Sequence, residues 1–296
     1  MKRIINAVIA ALMLILLASC TGKANTAVVP AIQFAAPGAE EIAPPEMASS
    51  IKLNSTTMQV YYIDIPDGET MFKEFNSVSE IASDNVELIN KTDDGYWLYK
   101  AGDGTLLIDT SAGSWTYSTP LPSAAPDNMP TDAQAQQIAA KEIADSGLKI
   151  GSTSDSGVLS YTTDGDEKIL QKDVIFYPTV DGKNVYGIFR TTVGIGEGGK
   201  TVYFSKQSFE PKAGGEVKLK SIDEVKQSIS KGEFISNAAG ASGTATITDY
   251  ELCYYCDGVA KDGKLYVQPV YVFSAEINNA GESKQIKVFV DAASQA

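Results

Sequence analysis

Ser221-Ile222-Asp223-Glu224-Val225-Lys226-Gln227-Ser228-Ile229-Ser230-Lys231-Gly232 decides how the chain is read. Its first four residues form a capping box, in which a serine hydroxyl accepts from the third helical amide while the glutamate reaches back to the serine's own N–H. Ile222, Val225 and Ile229 follow at i, i+3 and i+7 on one face, and Gly232 supplies the left-handed stop. The stretch predicts a short amphipathic helix. What comes next has a different period. Thr244–Tyr255, Leu265–Ile277 and Gln285–Asp291 are rich in tyrosine, valine and phenylalanine, and their alternation predicts three strands.

Upstream the same order recurs. Thr131-Asp132-Ala133-Gln134 is another capping box, Ile138, Ala139, Ile143 and Ala144 form an apolar stripe, and Gly147 is the expected stop. Strands are expected at Gly157–Thr163, Ile169–Tyr177, Val185–Val193 and Thr201–Gln207, with Asp164-Gly165 and Asp181-Gly182 as turns. Helix, then antiparallel strands, twice over, reads as a diverged internal duplication. Ahead of it lie a strand at Met58–Ile65, a helix at Met71–Ala82 and strands at Val86–Asn90, Tyr96–Ala101 and Thr105–Asp109. The expected fold class is α+β, with antiparallel sheets each packed by a short helix. The expected division is a small β-α-β-β-β unit at 51–119, a linker at 120–130 marked by Pro120, Pro122, Pro126 and Pro130, and repeat units at 131–215 and 216–296.

The amino terminus reads as an export signal. Lys2 and Arg3 precede the apolar stretch Ile4–Leu17, which is shorter than the roughly 20 residues of a stable membrane span. Leu17-Ala18-Ser19-Cys20 has the form of a lipobox, so 1–19 is expected to be removed and Cys20 to carry a lipid. The chain is then expected on the extracytoplasmic face of a bacterial cell membrane. Residues 20–50, mainly alanine, proline and glutamate, are expected to be a disordered tether.

Composition narrows the function. Lys and Arg number 24 and Asp and Glu 37, a formal charge of −13, so nucleic acid is not an expected partner. The chain has 0 histidines, which removes Ser-His-Asp and Cys-His catalysis and His-based zinc sites. Carboxylate, lysine and thiol chemistry remain open.

The closing strands, with the short helix before them, resemble the PepSY-like domains, and in particular the YycH/YycI family of extracytoplasmic regulatory proteins. The likeness is carried by Pro178-Thr179-Val180-Asp181-Gly182-Lys183-Asn184-Val185-Tyr186-Gly187, which is similar to the family's Gly-turn hairpin, and by the helix Leu219–Gly232. It continues through Ile247–Tyr255 and Leu265–Phe273, with their Tyr-Tyr and Pro-x-Tyr-x-Phe. The resemblance implies tandem PepSY-like units in a binding or restraining protein without catalysis. The family's best-known members are held by an amino-terminal membrane helix that also touches a sensor kinase; this chain is expected to keep only a lipid.

Other motifs have plainer readings. Gly194-Ile195-Gly196-Glu197-Gly198-Gly199 matches G-x-G-x-x-G, but it lies between strand-like runs and reads as a hairpin tip. Asp164-Gly165-Asp166-Glu167 lacks the further ligands of a calcium loop. Ser228-Ile229-Ser230-Lys231 matches S-x-x-K but follows Ser83-Asp84-Asn85 and has no Lys-Thr-Gly beyond it. Cys253-Tyr254-Tyr255-Cys256 is a C-x-x-C within a strand; buried thiols, a strained disulfide and a catalytic or metal site all stand as readings, and residues three apart on a strand face opposite ways. Tyr255 and Tyr266 are the expected exposed partner surface. No cofactor or metal is expected, and the expected function is a non-enzymatic module binding another envelope protein. The alternatives are a carboxylate hydrolase, a Cys253/Cys256 redox protein and, last, a small-ligand carrier.

Overall fold

The computed structural model describes residues 27, 29–34, 42–82, 85–122, 126–148, 150, 152–153, 157–162, 169–238, 243–279 and 282–294. The export signal, Cys20, Ser83-Asp84 and the Asp164–Glu167 turn lie outside the described residues. The chain is mixed α+β and mostly antiparallel. Its strands, in order, are β1 (Glu46–Met47), β2 (Thr57–Asp64), β3 (Val86–Lys91), β4 (Tyr96–Ala101), β5 (Gly104–Asp109), β6 (Ser114–Ser118), β7 (Ser152–Thr153), β8 (Gly157–Thr162) and β9 (Ile169–Phe176). There follow β10 (Pro178–Val180), β11 (Lys183–Gly187), β12 (Thr191–Ile195), β13 (Thr201–Gln207), β14 (Lys212–Lys218), β15 (Ile235–Ser236), β16 (Thr244–Cys256), β17 (Lys264–Asn279) and β18 (Glu282–Asp291). The helices are α1 (Gly68–Asn76), α2 (Asp132–Ser146) and α3 (Ile222–Ser230).

Both capping boxes form. Thr131 and Gln134 satisfy each other's amides at the start of α2, as Ser221 and Glu224 do at α3, and Gly147 takes the left-handed conformation that ends α2. Helix α1 is shorter than expected. It begins about one turn earlier, where Asp67 caps the Thr70 amide at 2.7 Å, and ends at Asn76, leaving Val78 and Ile81 buried in the turns beyond.

The strands make two sheets. An eight-stranded sheet runs β3-β4-β5-β6-β13-β12-β9-β8, and a ten-stranded sheet follows β14-β2-β17-β16-β11-β10-β7, with β1, β15 and β18 paired off that path. On the first, α1 and α2 bury Met71, Phe75, Ala139 and Ile143 against Trp115, Val174, Val193 and Phe204. Lys206, only 1% exposed, is neutralised there by both Glu74 oxygens at 2.9 Å. On the second, Val225 and Ile229 of α3 join Val60, Tyr254, Val267, Phe273, Val288 and Val290.

The expected division at 51–119, 131–215 and 216–296 does not correspond to these sheets. Strand β2 leaves the amino-terminal unit to pair with β14 and β17, while β6 of the same unit joins β13. The expected strand Val185–Val193 is two strands in different sheets: β11 pairs with β16, and after Ile188–Arg190 the chain enters β12 beside β9 and β13. The turn is made at Gly187, where φ is +97° and an added Cβ would sit 1.9 Å from the Cys256 carbonyl oxygen. The expected tether also differs. Val29, Ile32 and Ile42 are buried, and β1 pairs with β16. Apolar side chains scattered among the alanines and prolines find sheet surface to cover, which a reading from composition does not see.

Candidate functional site

Strand β16 is the longest but one of the described strands, and its two edges differ. Along one edge it pairs with β17 from Thr244 opposite Asn278 to Tyr255 opposite Gln268, with one bulge between Ile247 and Asp249. Along the other, β1 pairs in parallel only at Thr246 and Ile247, and β11 in parallel only at Tyr254–Cys256. Among the described residues, no strand pairs with Thr248–Cys253 on that side.

Which backbone groups face this gap follows from a proline. Pro269 lies opposite Tyr254, has no N–H, and turns its carbonyl toward β18, where the Ala292 amide donates to it at 3.2 Å. A residue's N–H and C=O point to the same edge and alternate along an antiparallel strand. Tyr254, Leu252 and Tyr250 therefore direct theirs away from β17, Tyr254 toward β11 and Leu252 and Tyr250 toward the gap. The Tyr250 amide is capped locally by Asp249 Oδ1 at 2.8 Å.

A cleft of about 460 Å³ occupies the gap. Tyr250, Glu251, Leu252 and Cys253 form its β16 wall, and Gly182, Lys183 and Asn184 of the β10–β11 hairpin face them. The left-handed turn at Asp181 and Gly182 places that hairpin tip. Two polar relays flank the cleft. On one side Tyr61 donates to Asp181 and is packed edge-on against Tyr254 at 5.6 Å. Burial, helped by Asp181, pushes Tyr61 up to about 12, and burial likewise raises Tyr254, so both phenols keep their protons as donors. On the other side Lys287 Nζ lies 3.0 Å from Tyr186 Oη and 3.5 Å from Glu251 Oε1. Burial lowers the Lys287 pKa, but these two partners outweigh it and hold the ammonium charged.

Cys253 and Cys256 are both free thiols. Cys253 packs with Ile32, Val270 and Val272 on one face of the sheet, whereas Cys256 lies in the main core on the other. The opposite-face alternation leaves no disulfide in this geometry. Burial pushes each thiol up to about 12, so neither is a thiolate near neutral pH, and a redox pair has neither the approach nor the ionisation it needs.

The expected tyrosine surface is corrected. Tyr255 is 8% exposed, its ring meeting Phe34 edge-on at 5.3 Å. Ile32 and Phe34 cover the face that the alternation leaves open. Tyr266 is half-buried, opposite Tyr62 on β2. Asp181, Lys183, Glu251 and Lys287, which surround the cleft, carry no sequence signal of their own, because each sits in an ordinary turn or alternating strand. The strap over Tyr255 does carry one: Pro30, Ile32 and Phe34 fall at every second position. Among the described residues no three His, Cys, Asp or Glu side chains converge as a metal site, and no helix is long and apolar enough to cross a membrane.

No family model matches the chain, and neither does any curated protein. Among solved structures, an uncharacterized protein from Eubacterium rectale is similar at 11% identity and a TM-score of 0.44, covering 86% of this chain and 88% of that one. The YpeB C-terminal domain of Bacillus megaterium is similar at 13% identity and a TM-score of 0.36, covering 79% of this chain and 96% of that one.

Proposed function

We propose that the chain is a non-enzymatic binding module of the bacterial cell envelope, of the PepSY-like regulatory kind, held to the membrane by a lipid on Cys20. In this reading it takes an extended segment of a partner protein as an added strand in the gap of β16. The interrupted edge carries the proposal. Six residues of β16 span roughly 20 Å, enough for a short strand, and the Leu252 and Tyr250 backbone groups supply the ladder. Specificity comes from the alternate side chains: one set of the incoming strand meets Tyr250 and Tyr271, the other Glu251 and Cys253. Asp249 holds the Tyr250 donor while the edge is empty, a local device against indiscriminate pairing.

Site-specific photocross-linking in cells tests this. A photoreactive side chain at Asn184 or Leu252 is expected to capture an envelope protein through one extended peptide, identified by mass spectrometry. The same group at Thr105, exposed on the other sheet, is expected not to. Identical cross-linked products from all three positions would contradict the proposal.

A further inference from the structure

Residues 29–34 belong to no strand, yet they cross from one face of the ten-stranded sheet to the other. The Ala27 amide reaches the Glu216 carbonyl at 2.7 Å, and Val29 is part of the main core. Three residues later Ile32 is buried on the opposite face, with Phe34 beside it, over a floor of Cys253, Tyr255, Val270 and Val272. Two backbone amides anchor the crossing: Gln33 N–H donates to Asp257 Oδ2 at 2.8 Å, and Ile32 N–H donates to the Asp291 carboxylate, which also accepts from Ala293 at 2.9 Å. Both acceptors are side chains at strand ends, so no ladder bond of the sheet depends on these contacts. Two features of the floor are shared with the cleft: Cys253 lines it, and Tyr186, which packs against the floor, bonds to Lys287 at its flank.

We infer that Ile32–Phe34, anchored upstream by Val29 in the main core, is a latch: it occupies an apolar groove on the Cys253–Tyr255 face and opens as a unit while both sheets stay folded. Opening uncovers Cys253, Tyr255, Val270 and Val272 and frees one wall of the cleft, so the state of the latch sets access to the β16 gap. The link to the gap rests on the binding proposal; the opening itself does not. Segments held by few side-chain contacts open below the global unfolding free energy, whereas core strands open only with it.

The two cysteines report on the two events separately. The full chain is prepared with Cys20→Ser, and with either Cys256→Ala or Cys253→Ala, leaving one thiol on each face. Maleimide labelling is followed in native buffer and in rising urea. Cys253 is expected to label roughly tenfold faster than Cys256, with a weak urea dependence, while Cys256 follows global unfolding. Gln33→Pro, which removes the amide donated to Asp257, is expected to speed Cys253 a further roughly tenfold and leave Cys256 unchanged. Equal rates with the same urea dependence would overturn the latch. So would fast labelling of Cys253 that is indifferent to Gln33→Pro and to Ile32→Ala, since the thiol would then be reached through the cleft alone. Neither outcome bears on whether the gap binds a strand, which the cross-linking reads independently.

Discussion

Gly187 shows how much one residue decides. Its left-handed φ and the Cys256 carbonyl 1.9 Å from where a Cβ would stand let β11 run tightly beside β16 and then leave for the other sheet. Gly182 shares the positive φ, at +69°, but has nothing within 4 Å of an added Cβ. The two separate crowding from backbone strain. Gly182→Ala is expected to cost about 1 kcal/mol, from strain alone, and Gly187→Ala about 2–4 kcal/mol, because backbone must also move. Equilibrium urea unfolding of the two variants measures the difference. At this scale the sequence is readable for turns and caps, where one residue type answers one local need. It is not readable for Tyr255. Alternation tells which face of a strand a side chain is on, but whether another segment covers that face depends on Phe34, more than two hundred positions away.

Among the elements, α3 is legible almost to the residue because its capping box and i, i+3, i+7 stripe are local signals. Its cap also sets a pH dependence. The Ser221 amide and hydroxyl both donate to Glu224, at 2.7 Å each, and these bonds, with Ser294 beyond them, hold its carboxyl below the usual value of 4.5. The folded value lies under the unfolded one. The stabilisation is therefore complete above the ordinary glutamate range and is lost as pH falls through the folded value. Glu224→Gln is expected to flatten that part of the acid limb of a pH-stability curve followed by circular dichroism, and Ser221→Ala to cost about 1 kcal/mol at neutral pH. Strand β14 carries no such local signal, whereas β6 has one in the alternation of Trp115 and Tyr117. Lys212-Ala213-Gly214-Gly215-Glu216-Val217-Lys218 has two glycines and one strand-favouring residue; it is a strand because β2 offers it an edge, with a bulge where Gly215 takes a positive φ.

At the scale of the molecule, the sheets interleave segments that are far apart in sequence. A reading by consecutive units captures the class, α+β and mainly antiparallel, and the order of most elements. It misses the pairing, because edge strands are satisfied by whichever partner the whole chain brings to them. This has a consequence for dissection. The segment 131–296 contains both expected repeat units but lacks β2, which pairs with β14 and β17, and β6, which pairs with β13. It is expected not to fold alone, giving a poorly dispersed amide NMR spectrum, whereas two independently stable units would give a well-dispersed one. The acceptor gap belongs to the same scale, since it exists only because β1 and β11 arrive at the two ends of β16 from separate parts of the chain.

Leu252→Pro probes that gap most directly. The Leu252 N–H points away from β17, so proline there removes a donor for an incoming strand and leaves the β16–β17 ladder intact. The yield of the product cross-linked from Asn184 is to be compared between Leu252→Pro and the unsubstituted chain at matched thermal stability. Loss of the product is the result expected if a partner adds as a strand, and an undiminished yield would contradict it.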